Sequence, residues 1–173
     1  MHRALILASL LASLIVAAPA HAEPLNELRF DVLGLSALTV GPALSYDRTV
    51  APHIRLEASM GVGLMPGTAI NALGGLGARF DFGTEGDHFI PGVALVAALA
   101  LSGTERGLPL WLDVDLIGYE HRFASGLVLM GSLGVSVGLG GGSYCIDCSG
   151  SDDYGTVAGI VVPQGRIGIG KAF

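Results

Sequence analysis

Lysine is nearly absent from this sequence of 173 residues, in which the single one stands at position 171. Charged residues of all kinds make up only 14% of the chain, whereas about a quarter to a third of a soluble protein's surface is usually charged. Soluble proteins also commonly place lysine on the edge strands of their sheets, where its charge prevents aggregation. The composition therefore argues against an ordinary solvated surface.

Positive charge is scarce overall. Nine Lys and Arg residues stand against 15 Asp and Glu, a net charge of −6, which becomes −7 if the first 22 residues and their Arg3 are removed. A chain with this balance is not expected to bind nucleic acid, nor to bind an anionic membrane surface through charge. No nucleic-acid partner is therefore predicted.

Long apolar runs are missing beyond the N-terminus. The first 22 residues combine a short basic start, an apolar run from Ala4 to Ala18 and the small-residue site Ala20 to Ala22, the three parts of a secretory signal peptide. We therefore predict a signal peptide at residues 1–22 and one domain at 23–173, with a retained helical anchor as the alternative. The longest later run, Val93 to Leu101, has nine residues, too few for a spanning helix and enough for a spanning strand.

In place of such runs, apolar residues alternate with small or polar ones. From His53 to Met65, side chains such as Ile54, Leu56 and Val62 share one face, as the two-residue period of a strand requires. Seven other segments follow the same rule to different extents. They are residues 29–36, 39–46, 71–82, 90–102, 110–122, 127–140 and 157–173.

The first two of these segments fit the pattern least well. The alternation of residues 29–32 is lost after Leu33, and Pro42 interrupts the second segment. We predict two short strands joined by a tight turn near Ala37. One long bulged strand is the alternative.

Eight strands, separated alternately by short turns and longer loops, predict an all-β fold: an eight-stranded antiparallel up-and-down transmembrane β-barrel. The alternative is a soluble lipocalin-type barrel, with Leu and Val inside and the charges outside. The membrane barrel is favoured because the faces opposite the apolar ones are mostly Gly, Ala and Ser, which suit a crowded interior. Aromatic residues near the strand ends are expected to mark the periplasmic membrane surface; these are Tyr46, Phe80, Phe82, Phe89, Phe123 and Phe173.

The last segment carries a family resemblance. Ile167, Ile169 and Phe173 lie on one face of this strand, and small or polar residues lie on the other. With the signal peptide and the alternation, this ending resembles small bacterial outer-membrane barrels of the outer-membrane protein A transmembrane-domain and outer-membrane protein W types, although Lys171 departs from their usual apolar ending. The resemblance implies the outer membrane of a Gram-negative bacterium, Phe173 as the signal read by the barrel-insertion machinery, and that machinery and outer-membrane lipid as partners.

Charged residues on the opposite faces would then line the barrel interior. Four Arg and five carboxylates come close to balance, which a closed interior of low dielectric requires because an unpaired buried charge is costly. Eight strands leave an interior that side chains can fill, so we predict a lumen plugged by an ion-pair network. Its predicted members are Arg29, Asp31, Arg55, Glu57, Arg79, Asp81, Asp113, Asp115 and Arg166.

The sharpest local motif is Cys145-Ile-Asp-Cys148. A thioredoxin-like site would have a βαβ pattern around the two cysteines, and none is present here. A zinc site would need about two further ligands. For an exported chain we predict a disulfide between Cys145 and Cys148, with metal binding and redox activity as alternatives. Asp147, Asp152 and Asp153 could bind Ca²⁺, but their spacing fits no EF-hand, so no metal site and no cofactor are predicted.

Acid–base or nucleophilic chemistry has few candidates. His121 and Ser125, with Glu120, form the one group that suggests it, and Glu120 is expected on the opposite face of its strand from His121. The sequence therefore predicts a non-enzymatic, porin-like outer-membrane barrel that contributes to envelope structure and presents surface loops. Two alternatives stay open: a narrow channel for small solutes and a membrane-embedded lipid-modifying enzyme.

Overall fold

The computed structural model of this protein describes residues 26–36, 39–64, 70–84, 86–101, 106–144 and 155–173. The predicted signal peptide at 1–22 lies outside these ranges. Within them the chain is all-β, as predicted, and it contains no helix that could span a membrane. The strands are β1 (Asn26–Ser36), β2 (Thr39–Ala51), β3 (Ile54–Leu64), β4 (Ile70–Phe80), β5 (Phe82–Thr84), β6 (Asp87–Phe89), β7 (Gly92–Ala100), β8 (Arg106–Arg122), β9 (Leu127–Tyr144), β10 (Gly155–Thr156) and β11 (Val161–Ala172).

Eight of these strands close into a barrel in which all neighbours are antiparallel. Pairing runs in order through β1, β2, β3, β4, β7, β8, β9 and β11, and β11 pairs back with β1, so that Phe30 lies opposite Ile169. The short strands β5 and β6 form a hairpin whose second strand pairs with β8, and β10 pairs with β9. The predicted eight-stranded antiparallel up-and-down barrel is confirmed.

The barrel has two distinct ends. At the turn end, Asn26 and Phe173 exchange two backbone hydrogen bonds of 3.0 and 2.8 Å, and short turns join β2 to β3, β5 to β6 and β8 to β9. At the loop end, the chain passes from β1 to β2, from β3 to β4, from β7 to β8 and from β9 to β10. Apart from the two residues between β1 and β2, the connections at the loop end are longer than those at the turn end, as predicted.

Residues 28–46 form two strands, β1 and β2, rather than one long bulged strand. The loss of alternation after Leu33 has a structural cause, because the register of β1 shifts between Asp31 and Gly34. Val32 and Leu33 both point outward at this bulge. A bulge inserts one unpaired residue, so that beyond it the inward-facing and outward-facing positions of the strand are exchanged. Ala37, the predicted turn position, lies outside the described residues.

The closing segment differs from the continuous strand predicted for residues 157–173. The long strand β11 begins only at Val161, and the four residues before it form a turn. Gly138 binds both sides of this turn, donating to the carbonyl of Ile160 and accepting from the amide of Gly159, each at 2.8 Å. Gly159 has φ of +82°, a left-handed conformation that favours glycine. This geometry buries Val157 in the interior.

Candidate functional site: a charged interior inside an apolar outer face

The strand period of two sorts the side chains of β1 into two environments. Glu27, Arg29 and Asp31 are buried inside the barrel, whereas Leu28 and Phe30 between them are exposed outside. The same alternation repeats around the barrel. It produces an interior rich in charged groups and an outer face rich in apolar ones.

The interior contains all nine residues that the sequence nominated for the ion-pair network. Seven of them are no more than 4% exposed, and the side chains of Asp81 and Arg166 are 15% and 11% exposed. The structure adds five titratable residues that the sequence analysis did not nominate: Glu27, Asp47, His88, Glu120 and Arg122.

Arg29 is the hub of the network. Its guanidinium lies within ion-pair distance of four carboxylates: Glu27 at 3.2 Å, Asp31 at 2.8 Å, Asp47 at 2.9 Å and Glu57 at 3.4 Å. These carboxylates come from β1, β2 and β3. Arg29 itself is fully buried, so the carboxylates supply the counter-charge that its guanidinium needs away from solvent.

Glycine on the neighbouring strand makes room for the hub. A β-carbon at Gly168 of β11 would lie 2.8 Å from Cδ of Arg29 and would also overlap the Asp31 carboxylate. Real β-carbons do not approach other atoms this closely. Glycine at position 168 is therefore required by the packing of the Arg29 side chain across it.

A second group of ion pairs lies toward the turn end and centres on Arg55. Its guanidinium contacts Glu120 at 2.9 Å, Asp81 at 2.7 Å and Glu27 at 3.4 Å. Arg122 contacts Glu120 from the other side at 2.7 Å. Glu27 bonds to both Arg29 and Arg55, so the two groups form one continuous network.

A third group links strands that are not neighbours. Arg166 of β11 contacts Glu57 of β3 and Asp115 of β8, both at 2.6 Å. Arg79 also binds Glu57, and Gln164 donates to Asp115 at 2.6 Å. The contacts of Arg166 and Gln164 therefore run across the interior, an arrangement that is compatible with a plugged barrel.

The interior is more acidic than the near balance that the sequence analysis expected. Eight carboxylates face five guanidinium groups in the part of the chain that the structure describes. The carboxylates are Glu27, Asp31, Asp47, Glu57, Asp81, Asp113, Asp115 and Glu120, and the guanidinium groups are Arg29, Arg55, Arg79, Arg122 and Arg166.

Glu120 escaped the sequence analysis because of a second bulge. The register between β8 and β9 shifts between Asp115 and Ile117, and Leu116 and Ile117 both point outward. Beyond this point the faces exchange, so Glu120 lies inside and Tyr119 lies outside. The available signal was the adjacent pair Leu-Ile, which interrupts an otherwise strict alternation.

The candidate group for acid–base chemistry is not brought together. Glu120 is buried and paired with arginines, whereas His121 is outside, where its Nδ1 lies 2.6 Å from Oδ1 of Asp87. Tyr119 donates to the same oxygen at 2.5 Å. Hydrogen bonds from Tyr119 and then His121 lower the pKa of the exposed Asp87 carboxyl. Ser125 instead accepts a hydrogen bond from the amide of Leu127 at 3.4 Å.

An apolar cluster lies in the interior toward the loop end. Trp111, Val157, Ala94 and Val96 form its buried part, and none is more than 7% exposed. A β-carbon at Gly138 would overlap Val157, so the inward turn depends on that glycine. The packing of Val157 in the interior was not predicted from the sequence.

The cysteine and calcium hypotheses lie outside the described residues. This applies to the predicted disulfide between Cys145 and Cys148 and to the acidic residues Asp147, Asp152 and Asp153. In the ranges that the structure describes, no group of three or more His, Cys, Asp or Glu side chains is arranged to hold a metal ion.

The outer face is almost entirely apolar along the barrel wall. Thirty-three large apolar or aromatic side chains of the described residues are exposed there or at its ends, and only eight apolar residues are buried. Aromatic side chains are exposed toward the turn end, as the sequence predicted, and Tyr119 joins them. They are Tyr46, Phe80, Phe82, Phe89, Tyr119, Phe123 and Phe173.

Comparison with known proteins adds no family to this description, because neither a protein-family model nor a curated protein matches the sequence.

Proposed function

We propose that this protein is a non-enzymatic integral protein of the outer membrane of a Gram-negative bacterium, in which a plugged β-barrel contributes to envelope structure and presents loops at the surface. The observation that carries the proposal is the inverted arrangement of the side chains. Arginines and carboxylates are buried inside, and Leu, Ile, Val and Phe are exposed outside. A soluble lipocalin-type barrel would have the opposite arrangement.

The dimensions of the outer face suit a bilayer. A tilted strand crosses the hydrocarbon core with about 9–11 residues, and β1, β3 and β4 each have 11. Closure of the barrel satisfies every wall strand with two neighbours, which lipid requires because it offers no hydrogen bonds to an open edge. Soluble monomers rarely leave so large an apolar surface in contact with water.

The aromatic residues give the barrel an orientation in the proposed membrane. Aromatic girdles are typical of the interfaces of outer-membrane barrels, and seven of the eight exposed aromatic side chains that the structure describes lie toward the turn end, Phe30 being the exception. Short turns face the periplasm in such barrels, so the loop end would face outward. The proposal also includes what the resemblance of the sequence implies: a barrel of the outer-membrane protein A or W type, with membrane lipid and the barrel-insertion machinery as partners and Phe173 as the insertion signal.

The same geometry favours a plug over an open pore. Arg166 joins β11 to both β3 and β8, and Trp111 and Val157 fill the interior above this network. A solute would have to displace buried ion pairs and a packed apolar cluster to pass. The narrow channel remains the second candidate, since a small cavity lies between the two obstructions.

Conductance measurements distinguish a plugged barrel from an open channel. We expect protein inserted into planar bilayers to show no stable conductance steps, and liposomes containing it not to swell in small sugars or amino acids. A general porin reconstituted in the same lipids would show that both measurements can report an open pore. Reproducible steps or swelling with the folded barrel would support the channel and contradict the plug.

A further inference from the structure

Two basic side chains lie on the outer side of the barrel, apart from the interior network. They are Arg48, half-buried on β2, and Lys171, exposed on β11, and both are near the turn end. Each described arginine of the interior lies within 4.0 Å of a carboxylate, whereas none of the described acidic side chains is that close to Arg48 or Lys171. Asp47, next to Arg48 in sequence, points inward and contacts Arg29.

The strand β1 lies between these two residues and brings them to one corner of the barrel. Arg48 is opposite Asn26, and Lys171 is opposite Leu28, two positions further along β1; Tyr46 is opposite Leu28 on the other side. Neighbouring strands are about 4.8 Å apart and two residues extend about 7 Å, so the two Cα atoms are roughly 12 Å apart. Two long side chains at this separation can contact one headgroup. We call these five residues the basic corner.

The polar groups of the basic corner are donors without an anionic partner. Tyr46 donates to Oδ1 of Asn26 at 2.8 Å, which leaves the NH₂ group of that amide to donate elsewhere. Lys171 donates to a neutral group, the backbone carbonyl of Ser125. Nε of Arg48 has no hydrogen-bond partner among the described residues. The ligand that suits this corner is therefore an anion with several acceptor oxygens.

An apolar surface leads from the basic corner toward the middle of the barrel. Leu28 and Phe30 are exposed on β1, Leu44 is exposed on β2, and Phe30 is opposite Leu44. This surface offers contact area to a hydrocarbon chain but no partner to a polar one. A ligand that combines an anionic headgroup with acyl chains would therefore fit both parts.

We propose that the basic corner binds the headgroup phosphate of an anionic glycerophospholipid, whose acyl chains lie along the apolar surface. The proposal rests on the membrane location proposed above, in which the turn end faces the periplasm, so the occupant belongs to the periplasmic leaflet. Guanidinium and ammonium groups both bind phosphate through charge-assisted hydrogen bonds.

The charge of the corner matches one phosphodiester. Arg48 and Lys171 supply two positive charges, and if Phe173, which is bonded to Asn26 through the backbone, carries a terminal carboxylate, the corner still has a net charge of +1. The whole chain has a net charge of −6, which repels anionic lipid. Any preference for an anionic headgroup must therefore come from this local arrangement.

The test is native mass spectrometry of the folded barrel, released from micelles that contain phosphatidylglycerol or phosphatidylcholine with identical acyl chains. A basic residue near an anionic lipid surface contributes about 1 kcal/mol, which is about fivefold in Kd. We expect tighter binding of phosphatidylglycerol, weakened about fivefold by Arg48→Gln or Lys171→Gln and about 25-fold by both. The matched control is Arg48→Gln with Asp87→Asn, which restores the net charge on the opposite flank and should stay about fivefold weaker.

Equal binding of the two lipids to the wild type would overturn the proposal, as would undiminished binding of phosphatidylglycerol in the variant that lacks both basic residues. Recovery of binding with Asp87→Asn would show that overall charge, and not the corner, attracts the lipid. Tighter binding of lipid A than of phosphatidylglycerol would overturn the choice of occupant. All these results come from folded protein in detergent and leave the membrane assignment untouched, whereas a barrel that dissolves without detergent would remove that assignment itself.

Discussion

Replacement of Arg29 by methionine should lower the free energy of unfolding by about 4 kcal/mol, because breaking a buried ion pair typically costs about 3–5 kcal/mol. Methionine keeps the apolar stem but leaves four buried carboxylates without their shared guanidinium. The measurement is the urea midpoint of the folded band in micelles or vesicles. If the variant gave no folded band at all, this would also indicate the predicted loss of stability.

Arg48→Met is the matched control for this change. Arg48 is half-buried on the same side of β2 as the exposed Leu44 and Tyr46, and it takes no part in the described ion pairs. Its replacement should therefore alter stability by less than about 1 kcal/mol. Arg29→Lys should fall between the two, since it keeps the charge but loses the planar fork that contacts several carboxylates at once. Equal losses for Arg29→Met and Arg48→Met would contradict the hub role of Arg29.

Replacement of Leu95 by arginine should destabilise the barrel in lipid vesicles by about 2–4 kcal/mol, the range measured for a charge on the lipid face at the bilayer midplane. Leu95 lies in the middle of β7, on its outer face. The same substitution at Leu127, which is exposed at the start of β9 near the turn end, should cost only about 0–1 kcal/mol.

Comparison of the two variants shows whether the outer face of the barrel contacts lipid or water. If the outer face of this barrel were surrounded by water, both leucines would contact solvent and arginine would be tolerated equally well at each. A Leu95→Arg variant as stable as Leu127→Arg, or more soluble than the wild type without detergent, would count against a membrane-facing surface. The difference between the variants is more informative than either value because their chemistry is identical.

The sequence sufficed for the fold wherever the alternation was unbroken. β3 is the clearest case, since its side chains from Ile54 to Leu64 follow the predicted faces. Periodicity works here because one face is buried and the other is not, so a shift of one residue would exchange the faces of the whole strand. The eight strands and their antiparallel order follow from this rule.

The same rule failed at the bulges. Adjacent apolar residues occur at Val32-Leu33 and at Leu116-Ile117, and each pair marks a change of parity. A bulge is a property of two paired strands, so reading one strand alone does not place the residues beyond it. The acidic excess of the interior was missed for this reason at Glu120.

Strand ends and interior turns depended on partners distant in sequence. Glu27 and Asp47 enter the network because β1 and β2 pair as far as Asn26 and Arg48, beyond the limits suggested by composition. Val157 points inward because its turn is bonded to Gly138 of β9. Neither feature is encoded in local periodicity, and both determine what fills the lumen.

Cell fractionation tests the central claim most directly. If the apolar face contacts lipid, the protein will be recovered in outer membranes, will resist extraction by alkaline carbonate and urea, and will migrate faster on gels when it is not heated. Recovery of the folded protein in the soluble periplasmic fraction, without detergent, would contradict the account.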